Sequence, residues 1–238
     1  MMTVYHNLGL GDHFVFCGLV HAIQEREQQH VRVLCKWHNL ETVMALYAGY
    51  DVSVAPVADD TEARGVCAGC EHVNLVRTSP RPASRASYDA DVYAAAGLQH
   101  IERWQRFGFQ APDIMAKIPE QLLPNGKGNY VFLHDDHERG FNIERQHVPS
   151  MTIIYPEKTV TKNVLEYFLL ILNATEIHVI DSCFRILADQ LFCSDLVRFR
   201  KSKDAPRLVY HRYARPVDGT GWHVPSVMHP KWEVIEKP

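Results

Sequence analysis

The segment Met2–His13, MTVYHNLGLGDH, decides the fold of this chain of 238 residues. A short strand leads into a turn with two glycines two residues apart, and residues 15–23 continue as an apolar segment with helical spacing. Glycines let the backbone approach a ligand closely, and the start of a helix presents free N–H groups to an anion. We therefore expect a candidate active-site edge at this turn. Its predicted residues are Gly9 and Gly11 for binding, and Asp12 and His13 for catalysis.

Two common nucleotide-binding loops do not fit this turn. The dinucleotide fingerprint needs a third glycine three residues after the second, and Phe14 occupies that position. A phosphate-binding loop ends in Gly-Lys followed by Ser or Thr, whereas Gly11 is followed by Asp12 and His13. The sequence therefore disfavours NAD binding and excludes a phosphate loop of that type.

Composition narrows the class of protein. The chain is 46% hydrophobic with a net charge of -3 and has no Lys/Arg block, so we expect no nucleic acid partner. No segment reaches the ~18 apolar residues of a membrane span, and no basic leader precedes an apolar run, so we expect a cytoplasmic protein. The six cysteines are interpreted as reduced thiols, and Cys67 and Cys70 lack a second pair of ligands, so no metal site is predicted.

Strand and helix patterns alternate through the first half of the chain. Strands are predicted over residues 2–5, 31–35 and 52–54, and helices over residues 15–23 and 40–47. This alternation is typical of a parallel sheet with crossover helices. A longer helix is predicted over Asp91–Phe107.

The second half repeats the pattern after a connection rich in proline and glycine. Strands are predicted over residues 130–133, 151–155 and 176–180, and helices over residues 164–172 and 184–191. The run Asn125–Gly128 indicates a boundary near residue 125. The predicted architecture is α/β, with two Rossmann-like domains, residues 1–124 and 125–238, that face each other across a cleft.

Polar residues follow the first strand of the second half, at the edge where open parallel sheets bind ligands. His134, Asp135 and Asp136 are three consecutive ionisable residues, and at the end of a core strand they need either solvent or a ligand around them. A solvated loop in which Asp135 caps a turn is the alternative. A divalent metal is not favoured, because adjacent side chains of an extended chain point in different directions.

Asp181 and Ser182 directly precede the predicted helix 184–191. In one interpretation they cap that helix, which is worth ~1 kcal/mol. In the other, the hydroxyl and the free amides hold a phosphate or a ribose. Arg139 and Lys158 are candidates for neutralising a diphosphate, with a surface charge as the alternative for each. The predicted ligand-binding residues of this half are His134, Asp135, Arg139, Lys158, Asp181 and Ser182.

Two segments resemble a known family. Gly9–Asp12 with the following apolar helix resembles the opening of the heptosyltransferase-like enzymes (glycosyltransferase family 9-like), which are two-Rossmann glycosyltransferases of the GT-B type. Asp181–Ala188, DSCFRILA, is similar to their Asp-Ser/Thr-Gly-x-x-His-x-Ala segment, with Cys183 and Ile186 at the glycine and histidine positions. Together with His134–Asp136, this segment is also similar to fucosyltransferase-like proteins of the same architecture.

The resemblance implies a function and a division of roles. The chain would move a sugar from a nucleotide-diphosphate sugar to an acceptor hydroxyl, with inversion and with Asp12 as the general base. Residues 1–124 would form the acceptor side and residues 125–238 would bind the donor nucleotide, without a further cofactor. A sugar-nucleotide epimerase-like enzyme and a non-catalytic nucleotide-sugar-binding protein stay open as alternatives, because they share the two-Rossmann fold.

Overall fold

Two parallel β-sheets organise the chain, one formed before residue 75 and the other from residue 130 onward. The structure is a computed structural model that describes residues 1–6, 8–74, 88–111, 113–114, 129–157, 159–201, 204–212 and 232–236. The α/β class and the two Rossmann-like units are confirmed by the sheets themselves, because every strand pair in them is parallel. The predicted boundary near residue 125 lies outside the described residues and stays a prediction.

The first sheet has the strand order β3-β2-β1-β4. Its elements are β1 (Met2–Tyr5), α1 (Leu10–Glu27), β2 (Val31–Lys36), α2 (Leu40–Tyr47), β3 (Val52–Val57), α3 (Asp60–Ala68) and β4 (His72–Asn74). From β1 the chain adds β2 and β3 on one side and then returns to add β4 on the other side, so the strand order reverses between β1 and β4. Ligands bind outside the carboxyl ends of the strands at such a switch point. Gly9 follows β1 at this point.

One continuous helix was predicted over Asp91–Phe107, and this is wrong because the segment contains two separate helices. The chain forms α4 (Tyr88–Ala95) and α5 (Glu102–Gln105). Gly97 lies between them with a φ of 75°. A left-handed residue ends a right-handed helix, and glycine adopts this conformation without steric cost.

The second sheet has the strand order β6-β5-β7-β8-β9. Its elements are β5 (Tyr130–His134), β6 (Thr152–Ile154), α6 (Phe168–Asn173), β7 (Glu176–Val179), α7 (Cys183–Cys193), β8 (Arg207–Arg212) and β9 (Trp232–Glu236). The reversal in this sheet lies between β5 and β7, so the residues that follow these two strands occupy its ligand-binding edge. A 3₁₀ turn over Val164–Tyr167 precedes α6, where one helix was predicted.

The two units share one apolar core. A continuous cluster of buried side chains contains Phe14 of α1 as well as Phe168 of α6. Helix α1 packs against α7, and Gln190 Nε2 donates a hydrogen bond of 2.6 Å to the Phe14 carbonyl. A Cβ atom on Gly11 would lie 2.6 Å from Ile186 Cδ1, so glycine allows the first turns of the two helices to approach closely. The starts of α1 and α7 are therefore held side by side.

None of the helices in the described ranges combines the length and the apolar character that crossing a membrane requires.

Candidate functional site

A cleft of about 920 Å³ lies between the two units. Its walls are formed by residues at or beyond the carboxyl ends of β1 and β2 of the first sheet and of β5, β6 and β7 of the second. The carboxyl edges of both parallel sheets therefore face one cavity, which is the arrangement predicted for two Rossmann-like units. The polar and aromatic residues that line it include Gly9, Gly11, Lys36, Trp37, His134, Arg139, Lys162, Tyr167, Asp181 and Ser182.

Asp12 lies directly behind the part of this wall that α1 contributes. Gly9 precedes the first residue of α1, and Asp12 is the third residue of the helix. Its carboxylate folds back toward Gly9, since a Cβ atom on Gly9 would lie 2.7 Å from Asp12 Oδ2. Gly9 and Gly11 line the cleft, whereas Asp12 keeps partial solvent exposure beside it. The glycine at position 9 is what leaves room for the carboxylate.

The environment of Asp12 favours its protonated form. Burial raises the pKa of Asp12 to about 7, the charges of Asp181 and Asp89 act in the same direction, and a hydrogen bond from the Gly9 backbone opposes them. A general base works best when its pKa lies near the working pH. The carboxyl group of Asp12 is therefore suited to accept a proton near neutrality.

His13 turns away from the cleft. Its side chain is fully buried, and its ring lies 4.4 Å from the ring of His6 in an edge-to-face arrangement. Burial, and then the neighbouring His6, lower the pKa of His13 well below its usual value. The structure therefore places this predicted catalytic residue in the interior of the first unit, and we assign it no role in catalysis.

Ser182 is the N-cap residue of α7, but its side chain does not cap the helix. The residue is extended, with a φ of -156°, and its hydroxyl makes no hydrogen bond to a helix N–H. Ser182 Oγ is buried and has no hydrogen-bond partner within the part of the chain that the structure describes. The neighbouring Asp181 accepts a hydrogen bond of 3.1 Å from Arg185 Nε. A buried hydroxyl without a partner at a helix start is a candidate contact for an anion.

The last residue of β5 and the residues directly after it divide into two groups. His134 lines the cleft, and its ring lies 4.6 Å from that of Phe184. Asp135 instead stabilises the loop that follows, because Asp135 Oδ2 accepts a hydrogen bond of 3.3 Å from the Ile143 N–H. Asp136, which was not among the predicted binding residues, lines the cleft.

The cations near the cleft differ in how far their charge is already neutralised. Arg139 Nε donates a hydrogen bond of 2.6 Å to Asp136 Oδ2, so its charge is largely compensated. Lys36 and Lys162 also line the cleft, and their ammonium groups form no ion pair with any residue in the described ranges. Lys158, which was predicted as a diphosphate-binding residue together with Arg139, lies outside the described residues. Among the described residues, the positive charges of Lys36 and Lys162 are therefore more available to an anionic ligand than that of Arg139.

Sequence reasoning missed the walls that follow β2 and β6. Lys36 is the last residue of β2 and Trp37 follows it, so the strand-end rule that selected His134 would also have selected these two. Lys162 lies further along the chain from the end of β6, and that rule does not reach it. Trp37 is 64% exposed. Thr42 of α2 holds the Lys162 loop in place, because its hydroxyl donates to the Lys162 carbonyl at 3.3 Å and accepts from the N–H two residues later at 3.0 Å.

The described ranges contain no group of three or more His, Cys, Asp or Glu side chains arranged to hold a metal ion. The six cysteines are all free, and three of them are buried.

Comparisons with known proteins found similarity in structure only. No protein-family model matches the chain, and no curated protein matches it in sequence. The bacterial iron-containing dodecameric glycosyltransferase TibC from enterotoxigenic E. coli is 8% identical with a TM-score of 0.49, over 89% of this chain and 57% of TibC. The E. coli heptosyltransferase WaaC with ADP is 10% identical with a TM-score of 0.45, over 100% of this chain and 91% of WaaC. The chain thus spans little more than half the length of TibC.

Proposed function

We propose that this protein is a glycosyltransferase that moves a sugar from a nucleotide-diphosphate sugar to an acceptor hydroxyl. The observation that carries the proposal is the meeting of two parallel-sheet edges at one cleft. Beside one edge lies Asp12, whose pKa of about 7 allows it to take up a proton near neutral pH. At the other edge a helix begins at Ser182, whose buried hydroxyl has no hydrogen-bond partner among the described residues. The resemblance of Gly9–Asp12 and Asp181–Ala188 to heptosyltransferase-like segments also supports it.

The reaction assigns a separate task to each wall of the cleft. The acceptor oxygen attacks the anomeric carbon of the donor, and the bond between that carbon and the diphosphate oxygen breaks with both electrons leaving on the diphosphate. Asp12 takes the proton of the acceptor hydroxyl as the new bond forms. Because attack and departure occur on opposite sides of the carbon, the configuration at the anomeric centre inverts.

The start of α7 with Ser182, here called the donor wall, stabilises the departing diphosphate. The first N–H groups of α7 carry a partial positive charge, and Ser182 adds a hydroxyl at the same place. Lys36 and Lys162 add positive charge from the neighbouring walls. Donors fixed in advance at the position where negative charge develops lower the barrier without reorganising during the reaction.

Release of nucleoside diphosphate tests this proposal. The protein is incubated with UDP-, GDP- and ADP-linked sugars, with and without a mixture of sugar acceptors, and the diphosphate is quantified. We expect release that depends on the acceptor and a reduction by on the order of 100-fold in Asp12→Asn. An epimerase would alter the sugar without such release, and a binding protein would only be stabilised by the nucleotide, by ~2.7 kcal/mol at a hundred times its Kd. If none of the nucleotide sugars gives acceptor-dependent release of the diphosphate, the proposal is overturned, whether or not the nucleotide stabilises the fold.

The pH dependence provides a second test of the base. The reaction needs ionised Asp12, so kcat/KM should rise with pH, reach half of its maximum at about pH 7 and then level off. A limb that instead lies near pH 4, the ordinary range of a carboxyl group, would contradict the assignment of Asp12.

A matched pair of charge removals tests the role of the cations that line the cleft. Lys162→Ala removes a cation without an ion-pair partner in the described residues, whereas Arg139→Ala removes one already compensated by Asp136. We expect Lys162→Ala to weaken nucleoside diphosphate binding by about tenfold, and Arg139→Ala to weaken it by less than about threefold. Calorimetric titration measures both, and equal losses would show that Asp136 does not compensate Arg139.

A further inference from the structure

A buried ionic network behind the cleft joins the two units. Arg103 of α5 is fully buried, and its guanidinium contacts Asp89 of α4 and, at 3.3 Å, Asp189 of α7. Both carboxylates are also buried. A hydrogen bond of 3.0 Å links His100 Nε2 to Asp89 Oδ2. Three charged side chains from three helices thus form one connected group away from solvent.

The Asp189 end of this network fixes α7. Trp232 Nε1 donates to Asp189 Oδ1 at 3.0 Å, and Trp104 Nε1 donates to Asp189 Oδ2 at 3.2 Å. These bonds, with that of Arg103, tie Asp189 of α7 to α5 and to β9. Ser182 begins the same helix, so its position in the cleft depends on this anchor.

The Asp89 end of the network lies against α1. Tyr93 of α4 donates its hydroxyl to the Val15 carbonyl at 2.9 Å and accepts the Leu19 N–H at 3.1 Å. The ring of Tyr88 lies 6.0 Å from that of Phe16. Helix α4 is therefore attached to the helix that carries Asp12 at its start.

We propose that Asp89 is a positioning residue for Asp12, holding the start of α1 in a fixed relation to the donor helix α7 through Arg103 and Asp189. This inference rests on the proposed function of the cleft. The charge of Asp89 also acts on Asp12 directly and, together with the charge of Asp181, raises the pKa of the Asp12 carboxyl group. A like charge near a carboxyl group disfavours its ionisation. Asp89 therefore acts on the proton of Asp12 as well as on its position.

The titration behaviour of the neighbouring groups is consistent with this role. Burial opposes the ionisation of Asp89, but the hydrogen bond with His100 and the charge of Arg103 outweigh it, and the pKa of Asp89 lies below its usual value. Asp89 is thus ionised while Asp12 titrates. The other groups that influence Asp12 are Asp181 and the Gly9 backbone, and the Tyr88 hydroxyl is neutral at this pH because burial raises its pKa to about 12.

Carboxyl-carbon NMR titration of Asp12 tests the proposal without relying on catalysis. In Asp89→Asn we expect the midpoint of Asp12 to fall by about half a pH unit or more. Asp189→Asn damages the same network but leaves the Asp89 charge, and Asp91→Asn makes the same chemical change two residues further along α4. In both controls the midpoint should move by less than half of that amount. No difference between Asp89→Asn and these controls overturns the proposal.

Loss of one partner in a buried ion pair can prevent folding, so the wild-type protein supplies a second measurement. The Asp89 carboxyl resonance should move across the pH interval in which Asp12 titrates, and this movement should disappear in Asp12→Asn. An Asp89 chemical shift that stays constant while Asp12 titrates overturns the proposal as well.

Kinetics separate this inference from the proposed function. If the chain transfers sugars, Asp89→Asn should shift the acidic limb of kcat/KM by the same amount as the NMR midpoint, and it should lower kcat several-fold with the KM for the donor unchanged. A normal shift in the NMR midpoint without any glycosyl transfer would overturn the proposed function and leave the coupling of Asp89 to Asp12 in place.

Discussion

Replacing Asp12 by Asn should stabilise the fold above neutral pH while it abolishes most of the proposed activity. Asn has the same shape, and its carbonyl oxygen still accepts the hydrogen bond from the Gly9 backbone. The substitution removes only the charge that the native environment disfavours. The expected gain arises because the unfolded chain ionises this carboxyl group at a lower pH than the folded chain does.

The size of the gain follows from the two pKa values of Asp12, 3.8 as the ordinary value and about 7 in the folded protein. The difference of about three pH units, at ~1.4 kcal/mol each, sets an upper limit of about 4 kcal/mol. Partial exposure of Asp12 reduces this to roughly 2 kcal/mol through solvent screening. Loss of the favourable carboxylate charge at the start of α1 offsets a further ~0.5 kcal/mol. The burial effect is larger, so stabilisation wins.

The sign of the pH dependence distinguishes this cause from a general improvement in packing. Below about pH 4 both states hold the proton, so wild type and Asp12→Asn should unfold at the same urea concentration. The difference should grow between about pH 4 and pH 7, and it should stay constant above that interval. Urea unfolding at a series of pH values measures it, with Asp91→Asn as the control. A stabilisation independent of pH, or none at about pH 8, would refute the raised pKa.

Two further substitutions test the geometry of the helix starts. Gly9→Ala should lower the rate of sugar transfer by on the order of tenfold or more, because its Cβ would lie 2.7 Å from Asp12 Oδ2 and displace the carboxylate. Gly65→Ala is the control: no atom lies within 4 Å of its Cβ, so the rate should be unchanged. Ser182→Ala should weaken nucleoside diphosphate binding by about five- to tenfold in calorimetry. It should also change unfolding stability by less than the ~1 kcal/mol of an ordinary N-cap, and a full loss of that size would show that the hydroxyl caps α7.

Local patterns were sufficient to predict most of the elements that form the cleft. Strand β1 was predicted with its observed bounds, and the strands at 31–36, 130–134 and 176–179 were predicted within one residue. Each combines apolar β-branched residues with a clear end signal, and the alternation with helices fixed the parallel class. Helix α3 was missed because it is largely polar, although Asp59 caps it through hydrogen bonds from the N–H groups of residues 61 and 62.

The remaining parts depend on contacts between residues far apart in the chain. Strands β8 and β9 hold their places through pairing with β7 and with each other, and their short sequences contain no alternation long enough to reveal them. The network of Arg103 with Asp89 and Asp189 joins positions 14 and 86 residues apart, and no local pattern indicates it. Compensation of Arg139 by Asp136 is likewise a matter of side-chain geometry.

Two features of the helix starts cost stability and are best explained by ligand binding. A buried hydroxyl without a partner, as in Ser182, costs roughly 1–3 kcal/mol, and a carboxyl group kept from ionising, as in Asp12, carries a penalty of similar size. The buried His178 differs, because it shares a hydrogen bond of 3.0 Å with His211 and a second of 2.9 Å with Glu176. An anion at α7 would satisfy Ser182, and transfer of a proton would use the property that makes Asp12 unfavourable. Ser182 lines the cleft and Asp12 lies directly behind its wall, so both unfavourable features are found at the same cleft. This is the physical reason for assigning the function to that cleft.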